Sequence, residues 1–422
     1  MSLTDDKEPH WRGDDAAASA ASAASAPNAT ADGVTQTAQS TQSAQSAPVS
    51  AGVADPEAAL AGRLGQIRHE IDGLDGDLLT LLNRRASLSL EVGRIKADDA
   101  GIVFKPFRER EVLENLMAAN GGPLPNEHLR SIWREILSSS RSLQRPQKVA
   151  YLGPEGTFSY FAGVEFLGKA VEYMPHKDLD GVFRAVHDRQ CELGVVPLEN
   201  SLHGTVGQSL DLFLTHEVFI QSELFCRISH CLLTTETSLA DVTTVYSHPQ
   251  PLAQCGGWLR QALPGARIIP ADSTASAARR VAGEKGAAAI GHRSLATLLG
   301  LNILARGIED QPDNWTRFVV IGPAPAGQPG TDKTSMLFSV PDRPGALAEV
   351  LNLLAREGIN MKKLESRPLR GEKWKYVFFV DVECDLGNED YGRVVHELRR
   401  LCHTLRILGS YPAGPQLDMS GD

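Results

Sequence analysis

Within residues 308–318 (IEDQPDNWTRF) a hydroxyl, Thr316, stands between an indole and a guanidinium in a polar segment that reads as a loop. Trp315 and Phe318 can bury the ring of a small molecule. Arg317 can grip a carboxylate through two parallel N–H donors, and Thr316 can offer a proton to a departing oxygen. Hydroxyl-bearing segments lie upstream at residues 153–159 (GPEGTFS), 196–201 (VPLENS), 247–255 (SHPQPLAQC), 273–278 (STASAA) and 289–291 (AIG), each reading as a strand or loop end. His248 is a rival acid, but a histidine before proline in a turn serves more often as a cap. A second cationic set lies further upstream. At 100° per residue Arg85 and Lys96 fall within about 20° of each other and roughly 16 Å apart on one helix, close enough to bracket a small dianion. Arg68 lies about 25 Å from Arg85 and roughly 100° round that helix, so one chain cannot bring it to the same pocket. A helix packed antiparallel from a second subunit can deliver it, which argues for a dimer.

The elements that must position these groups follow from composition and periodicity. A chain of 422 residues exceeds what one hydrophobic core organises, so several folded units are expected. A formal net charge of -10 and a pI near 5.7 disfavour nucleic acid or an anionic membrane as partner, leaving anionic substrates to local arginine clusters. The six cysteines show no CxxC pair and no metal-ligand spacing, and the charged residues 1–15 contain no apolar run; reduced thiols, a cytoplasmic location and no membrane span are expected. Residues 1–55, rich in Ala, Ser, Gln and Thr, read as a disordered tail. Asp55-Pro56-Glu57 then caps a long amphipathic helix carrying Leu64, Ile67, Ile71, Leu74, Leu78, Leu81, Leu88, Val92 and Ile95 at helical spacing. Two further helices, residues 107–119 and 127–143, complete a three-helix domain over residues 56–145. After a short linker at 145–147, residues 148–324 alternate buried strands with helical patterns, an α/β reading. Beyond a Pro/Gly linker at 323–332, residues 332–412 read β, α, β, β, α, β, a ferredoxin-like order.

The upstream segments and the Thr316-Arg317-Phe318 loop, in this order and at these separations, resemble prephenate dehydratase, whose catalytic signature that loop is. The resemblance implies two lobes similar to bacterial solute-binding proteins, Thr316 as the acid assisting hydroxide loss, Arg317 as a carboxylate anchor, and Asn200, Ser201, Ser247 and Gln254 as hydrogen-bonding partners. Residues 64–96, 104–113 (FKPFREREVL) and 133–144 resemble the all-helical chorismate mutase fused ahead of that enzyme in many bacteria, an intertwined dimer. There Arg85 and a partner-chain Arg68 would bind two carboxylates, Lys96 and Gln144 would face the ether oxygen, Arg108 and Glu109 would form the RE pair with Glu109 on the substrate hydroxyl, and Ser140 would lie beside a carboxylate. Lys105 departs from the pattern, since relatives often carry Asp or Arg at its position. Gly345-Ala346-Leu347 and Glu365-Ser366-Arg367-Pro368 resemble the effector-binding elements of the ACT domain, which binds phenylalanine. The resemblance implies chorismate and prephenate as substrates, L-phenylalanine as feedback inhibitor, a homodimer or higher oligomer, and no metal or organic cofactor. Arogenate is an alternative dehydratase substrate. A non-catalytic solute-binding or amino-acid-sensing protein shares both binding scaffolds, but Thr316-Arg317-Phe318 counts against it.

Overall fold

The computed structural model describes residues 56–96, 103–326, 332–369 and 376–418. The expected tail at 1–55 and the cap at Asp55 lie outside these. The chain divides into two units, Met1–Glu70 and Ile71–Asp422. Helix α1 covers Pro56–Ile95, starting at the proline as the sequence predicts. Helix α2 spans Pro106–Ala119, again with proline in the first turn, and α3 spans Asn126–Gln144. Near its C-terminal end α1 comes so close to α3 that a Cβ on Gly93 would sit 2.7 Å from the Gln144 carbonyl oxygen. Only glycine permits that approach.

The α/β region consists of two sheets. In the first, the strands run in the order Gln416–Leu417, Phe219–Arg227, Trp315–Gly322, Leu193–Asn200, Lys148–Leu152 and Glu172–His176, with Gly204–Thr205 paired to the fourth. The second runs Asn302–Arg306, Cys231–Thr234, Ala287–Gly291, Thr244–Ser247 and Arg267–Pro270. The chain passes between the two sheets twice, once after Arg227 and once after Arg306, so each sheet forms the centre of a lobe. Segments of both lobes touch: Arg279 donates to the Glu155 carbonyl at 2.7 Å, and a Cβ on Gly156 would lie 2.5 Å from Leu295.

The C-terminal region forms a third, antiparallel sheet ordered Met361–Pro368, Tyr376–Val382, Lys333–Ser339 and Thr404–Tyr411, with helices Ala346–Arg356 and Gly392–Leu401. The element order is the β, α, β, β, α, β expected. Because alternate strand residues face opposite ways, Met336, Phe338 and Val380 pack with the helices while Leu337 and Phe379 join the core of the first lobe. A Cβ on Gly409 would meet the Ile220 carbonyl oxygen at 2.2 Å, which marks how closely this sheet abuts the first lobe. Among the described residues no helix is long and apolar enough to cross a membrane, and all six cysteines are free and buried.

Candidate functional site

Thr316 sits in a strand, not in the loop expected of residues 308–318, and this changes what its neighbours can do. Its Cα pairs with Asn200 on one side and Cys226 on the other. The Asn200 amide nitrogen donates to the Thr316 hydroxyl oxygen at 3.0 Å and to the Asn314 side-chain oxygen at 2.7 Å. The Asn200 oxygen in turn accepts from the backbone of Leu202 and of His203, each at 3.1 Å, and contacts the His203 ring at 3.0 Å. Asn200 is thus held from both ends, and its amide is directed at Thr316. With a donor into its oxygen, the Thr316 hydroxyl retains its own proton for an acceptor; among the described residues none takes it. Ser201 closes the strand end: its hydroxyl accepts from the Trp315 backbone at 2.9 Å and donates to the Asp313 carbonyl at 3.2 Å.

Arg317 requires a correction. In a loop, adjacent side chains can converge on one ligand; in a strand they point to opposite faces. Arg317 is 4% exposed and lies on the face away from Thr316, donating to Glu223 at 2.7 Å, Asp381 at 2.6 Å and the Tyr411 hydroxyl at 3.0 Å. Its donors engage protein groups, so the two-pronged grip on a substrate carboxylate is not what this arrangement provides.

Ser247 and Gln254 belong to the second lobe. The Ser247 hydroxyl donates to the Ile290 carbonyl at 2.7 Å. The Gln254 oxygen lies 2.8 Å from the ring of His230, a buried histidine in the first crossing between lobes whose backbone N–H donates to Glu309 in the second. Burial lowers the His230 pKa, with Gln254 and Glu309 acting in the opposite sense. His248 is the N-cap of the helix Pro249–Gln254, its ring accepting from the Gln250 backbone at 3.3 Å, as the His-Pro sequence predicts.

In the helical segment Arg85 donates to the Ser140 hydroxyl and, at 3.4 Å, to the Ile136 carbonyl. Burial lowers the Arg85 pKa, and Glu109 opposes that shift, which places this carboxylate near the guanidinium. Glu109 is itself held by Arg141 through contacts of 2.5 and 2.6 Å. The Gln144 amide donates to the Ser140 carbonyl at 3.3 Å. Arg85, Ser140, Glu109 and Gln144 are therefore gathered around α3, whereas Lys96 is exposed at the end of α1 and Lys105 is half-buried ahead of α2. Arg68 is exposed on α1. Arg108 is also corrected: it is exposed and paired to Glu111 at 2.6 Å, because successive helical residues diverge by about 100° and only Glu109 turns inward.

The expected effector residues separate into two places. Gly345, with φ of +84°, precedes the helix Ala346–Arg356, which also carries Leu347, and Ala346 lines a 650 Å³ cavity with Arg343, Tyr376, Phe378, His403 and Thr404. On the strand Met361–Pro368, Glu365 accepts from Thr205 at 3.1 Å and Arg367 contacts Asp211 at 3.2 Å, both in the first lobe, while Ser366 is exposed on the other face. The sequence reading missed Asn314, His203, Arg141, Glu223 and Asp381. Asn314, Arg141, Glu223 and Asp381 act through partners remote in the chain, a relation that leaves no local signal, and His203 contacts Asn200 three residues before it.

Comparison with known proteins gives three family matches: chorismate mutase type II over residues 67–145, prephenate dehydratase over 149–326, and the ACT domain over 334–398. The bifunctional chorismate mutase/prephenate dehydratase of Aquifex aeolicus is 42% identical over 353 residues, covering 83% of this chain and 98% of that protein. Among solved structures, the Arthrobacter aurescens prephenate dehydratase in complex with L-Phe is 31% identical with a TM-score of 0.57, covering 63% of this chain and 90% of that one. GqqA, a quorum-quenching acylase, is 34% identical with a TM-score of 0.58, covering 63% and 98%.

Proposed function

Because the chain belongs to the bifunctional chorismate mutase/prephenate dehydratase family, we propose that Thr316 is the general acid of its dehydratase reaction and that the segment α1 to α3 houses its mutase reaction. The enzyme rearranges chorismate to prephenate and converts prephenate to phenylpyruvate. In the second step the ring carboxylate departs as carbon dioxide, its bonding pair enters the ring, the ring–hydroxyl bond breaks, and one proton turns that hydroxyl into water. Thr316 supplies the proton in the transition state. The observation that carries this reading is the Asn200–Thr316 contact, which fixes the hydroxyl oxygen and leaves its hydrogen to be donated. Acylase chemistry on this fold would need a base beside a nucleophile, and the partner of Thr316 is an amide.

The mutase step needs no nucleophile. A pericyclic rearrangement asks for one compact conformer and for charge stabilisation at the breaking C–O bond. Arg85 binds a carboxylate beside Ser140, Gln144 and Lys96 face the ether oxygen, and Glu109 faces the hydroxyl. A second copy of the chain completes this site with its own Arg68. Supporting this, α1 leaves Leu74 67%, Leu81 62% and Ile95 76% exposed, and an apolar stripe of this kind calls for a covering partner. The three regions correspond to a mutase domain at 56–145, a dehydratase domain at 148–324 and a regulatory domain at 332–412. L-phenylalanine is the effector, with Ala346 on the wall of its cavity between Gly345 and Leu347, and Glu365, Ser366 and Arg367 acting from the edge strand. Purified protein supplied with chorismate should accumulate phenylpyruvate, and phenylalanine should slow that accumulation. Failure to form phenylpyruvate from either chorismate or prephenate overturns the assignment.

A further inference from the structure

Ser140 and Arg141 are neighbours on α3, yet each meets a different member of the proposed mutase site. The Ser140 hydroxyl accepts from Arg85, and the Arg141 guanidinium holds Glu109. Helical register explains why both face inward: positions 137, 140, 141 and 144 follow the spacing that gathers side chains on one face, and Leu137, Ser140 and Arg141 are all buried. Arg85 reaches this face from α1 and Glu109 from α2, so three helices converge on it.

Arg141 is 4% exposed, and a buried guanidinium requires partners. Its Nη1 lies 2.5 and 2.6 Å from the two Glu109 oxygens. Its Nη2 donates to the Leu167 carbonyl, at the end of the helix Phe158–Leu167, where no later turn remains to bond that oxygen. The Phe104 ring covers the guanidinium carbon at 5.5 Å. A planar fork held at these points does not turn to follow a carboxylate, so the carboxylate is oriented by the fork. Glu109 also acts electrostatically on Arg85. Released from Arg141, it can swing toward that cation and away from a substrate.

We propose that Arg141 is a positioning residue of the mutase reaction, which aims Glu109 at the substrate hydroxyl and keeps it from Arg85. This rests on the reading of Glu109 as the group facing that hydroxyl. A displacement of about 1 Å in a site group can cost on the order of 10²-fold. In the full-length protein, Arg141→Leu should therefore lower kcat for chorismate by roughly 10- to 100-fold, and Arg141→Lys, which keeps the charge but not the fork, should recover part of the loss. Prephenate turnover within about threefold of wild type reports that the samples are folded. The deciding measurement is a double-mutant cycle: if Arg141 acts through Glu109, Arg141→Leu costs little more in a Glu109→Ala background. Should Arg141→Leu not fold, Arg141→Lys enters the cycle in its place. Additive losses, or wild-type kcat in Arg141→Leu, overturn the proposal while leaving Glu109 in its role. An equal fall in prephenate turnover also overturns it, and reduces Arg141 to a cap on the helix Phe158–Leu167. Wild-type chorismate turnover by Glu109→Ala removes the premise and the proposal with it.

Discussion

As the proposed acid, Thr316 offers one hydroxyl whose oxygen already accepts from Asn200. A positioned proton donor contributes about 10² to 10⁴ in rate, so Thr316→Ala should lose that much prephenate turnover while Thr316→Ser retains much of it, as steady-state kinetics will read. His248→Ala should change little, since the ring caps a helix; an inactive His248→Ala beside an active Thr316→Ala reverses the assignment. His230 gives a pH prediction. Its pKa is depressed below the ordinary 6.5 by burial, so the folded protein binds fewer protons than the unfolded chain once pH falls under that value. The stabilisation is fully present above about 6.5 and is lost as pH falls toward the folded-state pKa. The melting temperature should therefore drop on acidification, and His230→Gln should flatten that part of the profile. An unchanged slope rejects His230 as its source.

The element that couples sequence to mutase geometry is the crossing of α1 and α3. Gly93 lets the helices meet against the Gln144 carbonyl, so Gly93→Ala forces the last turn of α3, with Gln144 and Ser140, away from Arg85. Mutase turnover should fall by at least about tenfold while dehydratase turnover holds, because the proposed acid Thr316 lies on a strand outside these helices. Arg85→Ala should abolish the first activity and leave the second within a few fold. Parallel assays on chorismate and prephenate decide both cases, and equal loss of the two activities in a folded variant refutes separate sites.

At the scale of the whole molecule, the exposed leucines and isoleucines of α1 set the prediction. Mixing Arg68→Ala and Lys96→Ala subunits under exchange should regenerate some sites with both wild-type residues, and with them chorismate turnover. If exchange is demonstrated and no activity returns, the partner-chain Arg68 is wrong.

Much of this architecture was legible in the chain. Periodicity and punctuation marked α1 from Pro56, the helices after it and the C-terminal β, α, β, β, α, β order, since local patterns encode which face of an element is apolar. The His248 cap was equally local. Thr316 and Asn200 were identified by type and motif, yet their meeting across two antiparallel strands was not, because 116 residues separate them. The sequence also read residues 308–318 as loop, and that error carried Arg317 to the wrong face. Strand pairing alone decided that Thr316 and Arg317 look in opposite directions, one toward the proposed chemistry and one toward Asp381, which lies 64 residues further along the chain in the C-terminal domain. Residue types and spacing determined what chemistry the chain can attempt; register and burial, which depend on partners remote in sequence, decided which groups are present to perform it.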